Sequence, residues 1–378
     1  MTTPVKILLA GIGGYASLFV NALLDTDRTD VELVGCADPF PDSCPRLAQL
    51  RQKSIPVFPD MESFFAAGLS ADLCVIGSPI HFHARQIQYA LSKGCHVLCE
   101  KPLCGDASDI PSLLNARNLA GRHVSIGYQW SCSQAILSLK RDVLDGLFGA
   151  PVLLKTLVLW PCKRDYYERG SKWAGRLRAP DGSLILDSIA NNAGAHYLHN
   201  MLFLLGESMD RSAMPEKLTA VLGRAHPIEN YDTASIEMVM PGGARLLYLG
   251  SHASIEAHNP TFRYEFEKAV VEMKAEDKII RAAFKDGTVK EYGNPFADKE
   301  RKLWMAVGCA KNPSEKPSCP LEAAIPHTRC IALAQEFPIQ DFPKERIKET
   351  AEGDGIGVSG LYGEFLRAYE DGVMWKMG

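Results

Sequence analysis

The stretch VKILLAGIGGYA, residues 5–16, constrains the fold more than any other part of the chain. A short, almost wholly apolar run meets a glycine-rich turn, and an apolar-periodic helix signal follows through Leu24. A strand this uniformly apolar is covered on both faces, as strands of parallel sheets are. The unit recurs: VELVGCAD (31–38), LCVIGSP (73–79), HVLCEKP (96–102) and HVSIGY (123–128) read as further strands. HARQIQYALSKG (83–94) reads as a helix closed by Gly94, and another helix is expected from Asp106 to Ala120. Strands alternating with helices predict βαβ units and a doubly wound sheet over residues 1–128.

After Tyr128 the pattern changes. A helix near Gln134 to Asp145 leads to the strand VLLKTLVLW (152–160). LTAVLGRA, ASIEMVM, ARLLYLGSHAS, YEFEKAVVEMKA and KIIRAAF then read as strands, some separated by turns such as PGG (241–243) and DG (286–287). Helices are expected again at 321–336 and 361–371. The expected class is α/β, with a doubly wound domain at 1–128 and an α+β domain at 129–378 built on an open, largely antiparallel sheet.

Length agrees with two domains, because 378 residues exceed what one core usually supports. A net charge of −4 gives no footprint for nucleic acid, and no apolar run is long enough to span a bilayer. The N-terminal apolar stretch is too short for a signal peptide. Eleven cysteines lie without paired spacing, and Cys95, Cys99 and Cys104 lack the CxxC pairs of a zinc ribbon. A reducing, cytoplasmic setting is therefore expected.

Gly11, Gly13 and Ala16 form G-x-G-x-x-A directly after a strand and at a helix start. Gly11 permits the tight turn, Gly13 lets a pyrophosphate approach the backbone, and Ala16 keeps helix and strand close. The whole turn, with Ile12, Gly14 and Tyr15, is expected to meet the phosphates at the helix N-terminus. Asp38 ends the second strand, where a carboxylate accepts from the adenosine ribose and repels a 2′-phosphate. Pro39 and Phe40 add no basic residue beside it, so NAD is expected in preference to NADP.

Two further segments carry chemistry. GCHVLCEKPLCG (94–105) puts Glu100, Lys101 and Pro102 at the carboxyl end of a strand, the edge where such sheets hold ligands. DSIANNAGAHYLHN (187–200) fits a metal site, an acid–base site or a polar helix start when read alone. His196 and His199 share a helix face, but no HExxH or cysteine pair supplies further ligands, so no metal is expected.

With AGIGGYA (10–16), the Asp38 strand end, GSPIHFHARQIQYALSKGCHVLCEKPL (77–103) and AHYLHNMLFLLG (195–206), the chain resembles the Gfo/Idh/MocA oxidoreductases. The family is named for glucose–fructose oxidoreductase and inositol dehydrogenase. The resemblance implies an N-terminal Rossmann domain and a second domain whose open sheet covers substrate and forms homodimer or homotetramer contacts. It implies a catalytic lysine at Lys101 and an acid–base histidine at His196. Ser78, Pro79, Glu100, Lys101 and Gln129 are expected beside the cofactor, with His83 near the nicotinamide edge. The family's Asp four residues before the histidine is here Asn192, and the nearest Asp is Asp187, nine before. Asn carries no charge to raise an imidazole pKa, so the two candidates predict different pH profiles. His199, where the family often has Asp, reads as helix packing.

Oxidising an alcohol needs a base for the hydroxyl proton while a hydride leaves for the nicotinamide. An imidazole, with a reference pKa of about 6.5, suits His196 to that task, and Lys101 suits the developing oxyanion. The loop YYERGSKWAGRLRAPDG (166–182) offers Tyr166, Tyr167, Lys172, Trp173 and Arg176 to a sugar, with Tyr128, Asn191 and Asn192 adding contacts. No clustered arginines form an anion clamp, which favours a neutral polyol, sugar or glycoside over a sugar phosphate. The expected activity is NAD-dependent hydride transfer to or from a ring hydroxyl of a sugar, cyclitol or glycoside. The alternatives are a glycosidase that uses NAD catalytically, by transient oxidation, elimination and re-reduction, and a dinucleotide-binding regulator.

Overall fold

The computed structural model describes residues 3–168, 172–312, 314–350 and 353–377. Part of the expected substrate loop, residues 169–171, lies outside the described residues. The chain divides into two units, the first formed by Met1–Cys104, Ser108–Cys132 and Asp298–Glu322, the second by the remainder.

In the first unit β1 (Val5–Ala10), β2 (Val31–Ala37), β3 (Val57–Phe58), β4 (Leu73–Ile76), β5 (His96–Cys99) and β6 (Val124–Ile126) make a parallel sheet in the order β3-β2-β1-β4-β5-β6. The intervening helices are α1 (Ser17–Asp25), α2 (Leu47–Gln52), α3 (Met61–Ala66), α4 (His83–Ser92) and α5 (Ile110–Ala120). Residues of β4 and β5 are buried throughout, as strands covered on both faces must be. Strand order reverses between β1 and β4, and the crevice at that switch point is where ligands bind in such sheets. There the backbones run very close. A Cβ on Gly11 (φ 86°) would stand 2.9 Å from the Gly77 carbonyl carbon, and one on Gly77 would stand 2.6 Å from Ala16 Cβ.

The second unit contains α6 (Gln134–Leu144), β7 (Pro151–Leu159), α7 (Arg164–Glu168), α8 (Ala195–Leu204), β8 (Lys217–Arg224), β9 (Thr233–Val239), β10 (Arg245–Ser251) and β11 (His258–Phe266). Next come β12 (Ala269–Met273), β13 (Ile280–Phe284) and β14 (Val289–Gly293). The chain then enters α9 (Arg301–Lys311), which belongs to the first unit. It continues through α10 (Leu321–Ala334), β15 (Ile339–Asp341) and α11 (Leu361–Asp371). The sheet order is β14-β13-β12-β11-β7-β10-β9-β8-β15, antiparallel except at β7/β10 and β8/β15. Leu157, Leu159, Leu247 and Leu249 face Leu361, Phe365 and Ala368 of α11. Tyr248, on the opposite face by the period-two rule, donates to Ile189 O ahead of α8.

Three expectations need correction. A single domain cut at 128/129 does not describe the chain, because 298–322 returns to the first unit. The reason is packing: Leu303, Ala306 and Val307 of α9 enter the same core as Ile7, Leu9, Phe19 and Val75. The run YEFEKAVVEMKA is two strands, since Glu267 and Lys268 form a tight turn and donate to Ala150 O and Phe148 O. The helix expected from Asp106 begins as a 3-10 turn at Ala107, with α-helix only from Ile110.

Leu303→Ala should lower the unfolding free energy by about 2–5 kcal/mol, because Leu303 is fully buried in the core of the parallel sheet. Urea denaturation measures this; a change below about 1 kcal/mol would contradict the assignment of α9 to that core.

Candidate active site

Asp38 ends β2 with its carboxylate turned onto the glycine turn. Its Oδ2 accepts from Ile12 N at 2.9 Å and its Oδ1 from Phe40 N at 2.8 Å. These two bonds fix the loop, and each oxygen keeps a further lone pair for a ribose hydroxyl. Gly13 abuts Ser43, whose Oγ would lie 2.2 Å from an added Cβ, whereas a Cβ on Gly14 would meet nothing within 4 Å. Bare backbone therefore faces outward at the start of the helix, which fits a pyrophosphate. A cavity of about 530 Å³ adjoins Asp38, lined also by Pro39, Arg51 and Phe58. Arg51 was invisible to a reading that looked for a base only beside Asp38.

The lysine turn follows β5. The Lys101–Pro102 peptide is cis. Lys101 is half-buried, and its N–H donates to Glu100 Oε2 at 3.3 Å. Glu100, an expected cofactor contact, is buried and ion-paired with Lys302 of α9. The Lys302 ammonium also donates to Tyr15 OH at 3.1 Å and to Gly127 O at 3.5 Å. Burial alone depresses the Lys302 pKa, but Glu100 and Tyr15 outweigh it and hold the value above that of an ordinary lysine. Tyr15 donates in turn to Gln129 Oε1 at 3.2 Å, which ties two expected cofactor residues together.

His83 is buried, with Nδ1 2.7 Å from Pro102 O and Nε2 2.9 Å from Ser78 O. It clamps the Ser78–Pro79 loop to the lysine turn and has almost no surface to offer a nicotinamide. Burial lowers its pKa. Ser78 Oγ lies 2.5 Å from Gln86 Oε1 and donates to it. Tyr128, a candidate substrate contact, is fully buried, and burial pushes its pKa up.

In the second unit, His196 is 9% exposed in the first turn of α8. His199 is fully buried and stacked on Phe203 at 5.7 Å, and burial drives its pKa well below the ordinary histidine value. Asp187 accepts from Gly175 N at 2.6 Å through Oδ2, while its carbonyl accepts from Asn230 Nδ2 at 3.0 Å. It thereby pins the loop that carries Trp173 and Arg176. Asn192 Nδ2 donates to Tyr166 OH at 3.2 Å, so it orients a candidate substrate contact. Asn191 is buried and donates to Ile185 O and Leu186 O, which makes it structural. Lys172 is exposed, whereas Trp173 and Arg176 are half-buried.

Two imidazoles escaped the sequence reading. His252 lies 5.5 Å from the Tyr166 ring and 3.1 Å from Cys162 Sγ. His226 lies 5.0 Å from the Tyr167 ring and is paired with buried Asp232 at 2.9 Å. No short motif marks them, because the sheet alone brings them to the tyrosines. Among the described residues no group of three metal-ligating side chains is gathered, and no helix is long and apolar enough to cross a membrane.

A parallel sheet with a glycine turn at its switch point and an acid at the end of β2 is the arrangement of a dinucleotide-binding Rossmann sheet. Residues 5–128 match the model of the Gfo/Idh/MocA oxidoreductase family, described by its NAD-binding Rossmann fold. The D-glucoside 3-dehydrogenase of Escherichia coli (strain K12) is 25% identical over 148 residues, 39% of this chain and 41% of that protein. The chain spans about two fifths of the length of the curated relatives it matches first. The fold extends further. The WlbA dehydrogenase from Bordetella pertussis, solved with NADH and UDP-GlcNAcA, has a TM-score of 0.71 at 18% identity, over 88% of this chain and 97% of that one. An inositol dehydrogenase homolog from Azotobacter vinelandii, solved with NADH and myo-inositol, has a TM-score of 0.70 at 16% identity, over 89% and 97%.

Asp38→Asn leaves one acceptor oxygen where two N–H groups converge. NAD affinity should fall about tenfold in a fluorescence titration, the size of one lost charge-assisted bond. An unchanged Kd would remove Asp38 from cofactor binding.

Proposed function

We propose that the chain is an NAD-dependent dehydrogenase acting on a ring hydroxyl of a sugar, cyclitol or glycoside. The observation that carries this reading is the lysine turn at the carboxyl end of β5, tied through Glu100, Lys302 and Tyr15 to the glycine turn in the same sheet. Names of relatives support the substrate class, since they include a D-glucoside 3-dehydrogenase and an inositol 2-dehydrogenase. NAD, when bound, supplies the hydride acceptor.

The residues divide the remaining work. His196 takes the hydroxyl proton. The Lys101 ammonium is suited to stabilise the charge that develops on an oxygen during hydride transfer. Asn192 holds Tyr166, and Asp187 holds the loop with Trp173 and Arg176, so both shape the substrate contacts. Lys172 reaches the substrate from the exposed side of that loop. The carboxylate of Asp38 favours NAD over NADP, and Arg51 gives any residual NADP use a basis. We place the protein in a reducing cytoplasm, consistent with eleven free cysteines. We assign contacts in a homodimer or homotetramer to the nine-stranded sheet.

A panel of sugars, inositols and glycosides should contain compounds that drive steady NADH formation, more efficiently than NADPH formation. Release of an aglycone without NADH accumulation would instead favour the glycosidase chemistry, and silence across the panel the regulator. His196→Ala should lower kcat about 10²–10⁴-fold with NAD affinity nearly unchanged. Lys101→Met should lower kcat about 10²–10³-fold. Near-parental turnover in either variant removes that residue from the chemistry.

A further inference from the structure

We propose that Lys302 is a positioning residue for Lys101, acting through Glu100 and locking the lysine turn to the nucleotide loop. A lysine ammonium has three donors and no acceptor. Here they meet the Glu100 carboxylate, the Tyr15 hydroxyl and the Gly127 carbonyl. Those partners follow β5, β1 and β6, so one buried atom joins three strand ends along the ligand edge of the sheet. The Lys302 side chain is 0% exposed and Glu100's is 9%, and the ring of Tyr15 lies 4.7 Å from the ammonium.

The arrangement is built for closeness. A Cβ on Gly127 would stand 2.9 Å from Glu100 Oε1, so only glycine lets the carboxylate sit there. With Oε1 on Lys302, Oε2 accepts the N–H of Lys101, and the backbone that aims the Lys101 side chain is held. A buried ion pair is a poor source of stability, since apolar or neutral groups of the same shape often do as well. Its presence at this strand end fits orientation better than strength. Lys302 arrives on α9, 202 residues beyond Glu100, so no local motif announces it.

The kinetic arm of the test rests on the dehydrogenase reading, and the labelling arm does not. The double variant Glu100→Gln/Lys302→Met replaces the charged pair by neutral groups of similar shape; Glu100→Gln alone serves if the double variant does not fold. On this account the variant melts near the parental temperature, yet kcat falls about 10²-fold, the scale of an ångström-level misplacement, with NAD affinity retained. Parental kcat in the folded variant overturns the proposal. In parallel, NAD-saturated protein is labelled with an amine-directed reagent and mapped by mass spectrometry. The labelling rate of Lys101 should change several-fold between parent and variant while that of exposed Lys93 does not. An unchanged Lys101 rate overturns the tether. If the parent turns over no polyol or sugar, the dehydrogenase reading fails and the labelling contrast still decides the tether.

Discussion

Where β1 and β4 end, two backbones approach too closely to admit a side chain, and the nucleotide site follows from that constraint. Gly11 and Gly77 leave no room for a Cβ between them, and a Cβ on Gly77 would also stand 2.6 Å from Ala16 Cβ. The turn therefore packs tightly on the sheet edge at the start of a helix, with Gly11 N donating to Ala37 O and Ile12 N to Asp38. Asp38 completes it by accepting from Ile12 N, so the acid proposed to meet a ribose also fixes the loop proposed to meet a pyrophosphate.

The same edge carries buried charge, which a sheet core accepts only when every donor and acceptor is matched. Glu100 and Lys302 meet that requirement together with Tyr15 and Gly127. His83 meets a related one, bridging Ser78 O and Pro102 O. These polar groups hold the loops on either side of Lys101. In the second unit Asp187 and Asn191 do the same for the segment leading to His196, through Gly175, Ile185 and Leu186.

Legibility followed the range of the interaction. β1 was readable to the residue, because strand, glycine turn and helix are written consecutively. So were the lysine turn and the burial of His199, which sits among Leu198, Met201 and Leu202 on an apolar helix. The turn at Glu267–Lys268 was not, because it has no glycine, proline or asparagine. The buried residues simply change phase there, from Phe262, Tyr264 and Phe266 to Ala269, Val271 and Met273. The apolar spacing of Leu303, Ala306 and Val307 marks a helix, but nothing local says which sheet it covers. Lys302 was hidden for the same reason, as were Arg51 near Asp38 and His226 and His252 near the tyrosines. Departure from the family pattern at Asn192 looked like a choice between two partners for one histidine. The structure gives both residues other work as well, Asp187 on Gly175 and Asn192 on Tyr166.

Isotope tracing tests the proposed direct hydride transfer from a carbinol carbon to NAD. A polyol or sugar that supports turnover would be prepared with deuterium on the oxidised ring carbon, and the reduced cofactor analysed by mass spectrometry. One deuterium should appear in the reduced nicotinamide for each product formed. Product formation with unlabelled cofactor would contradict it.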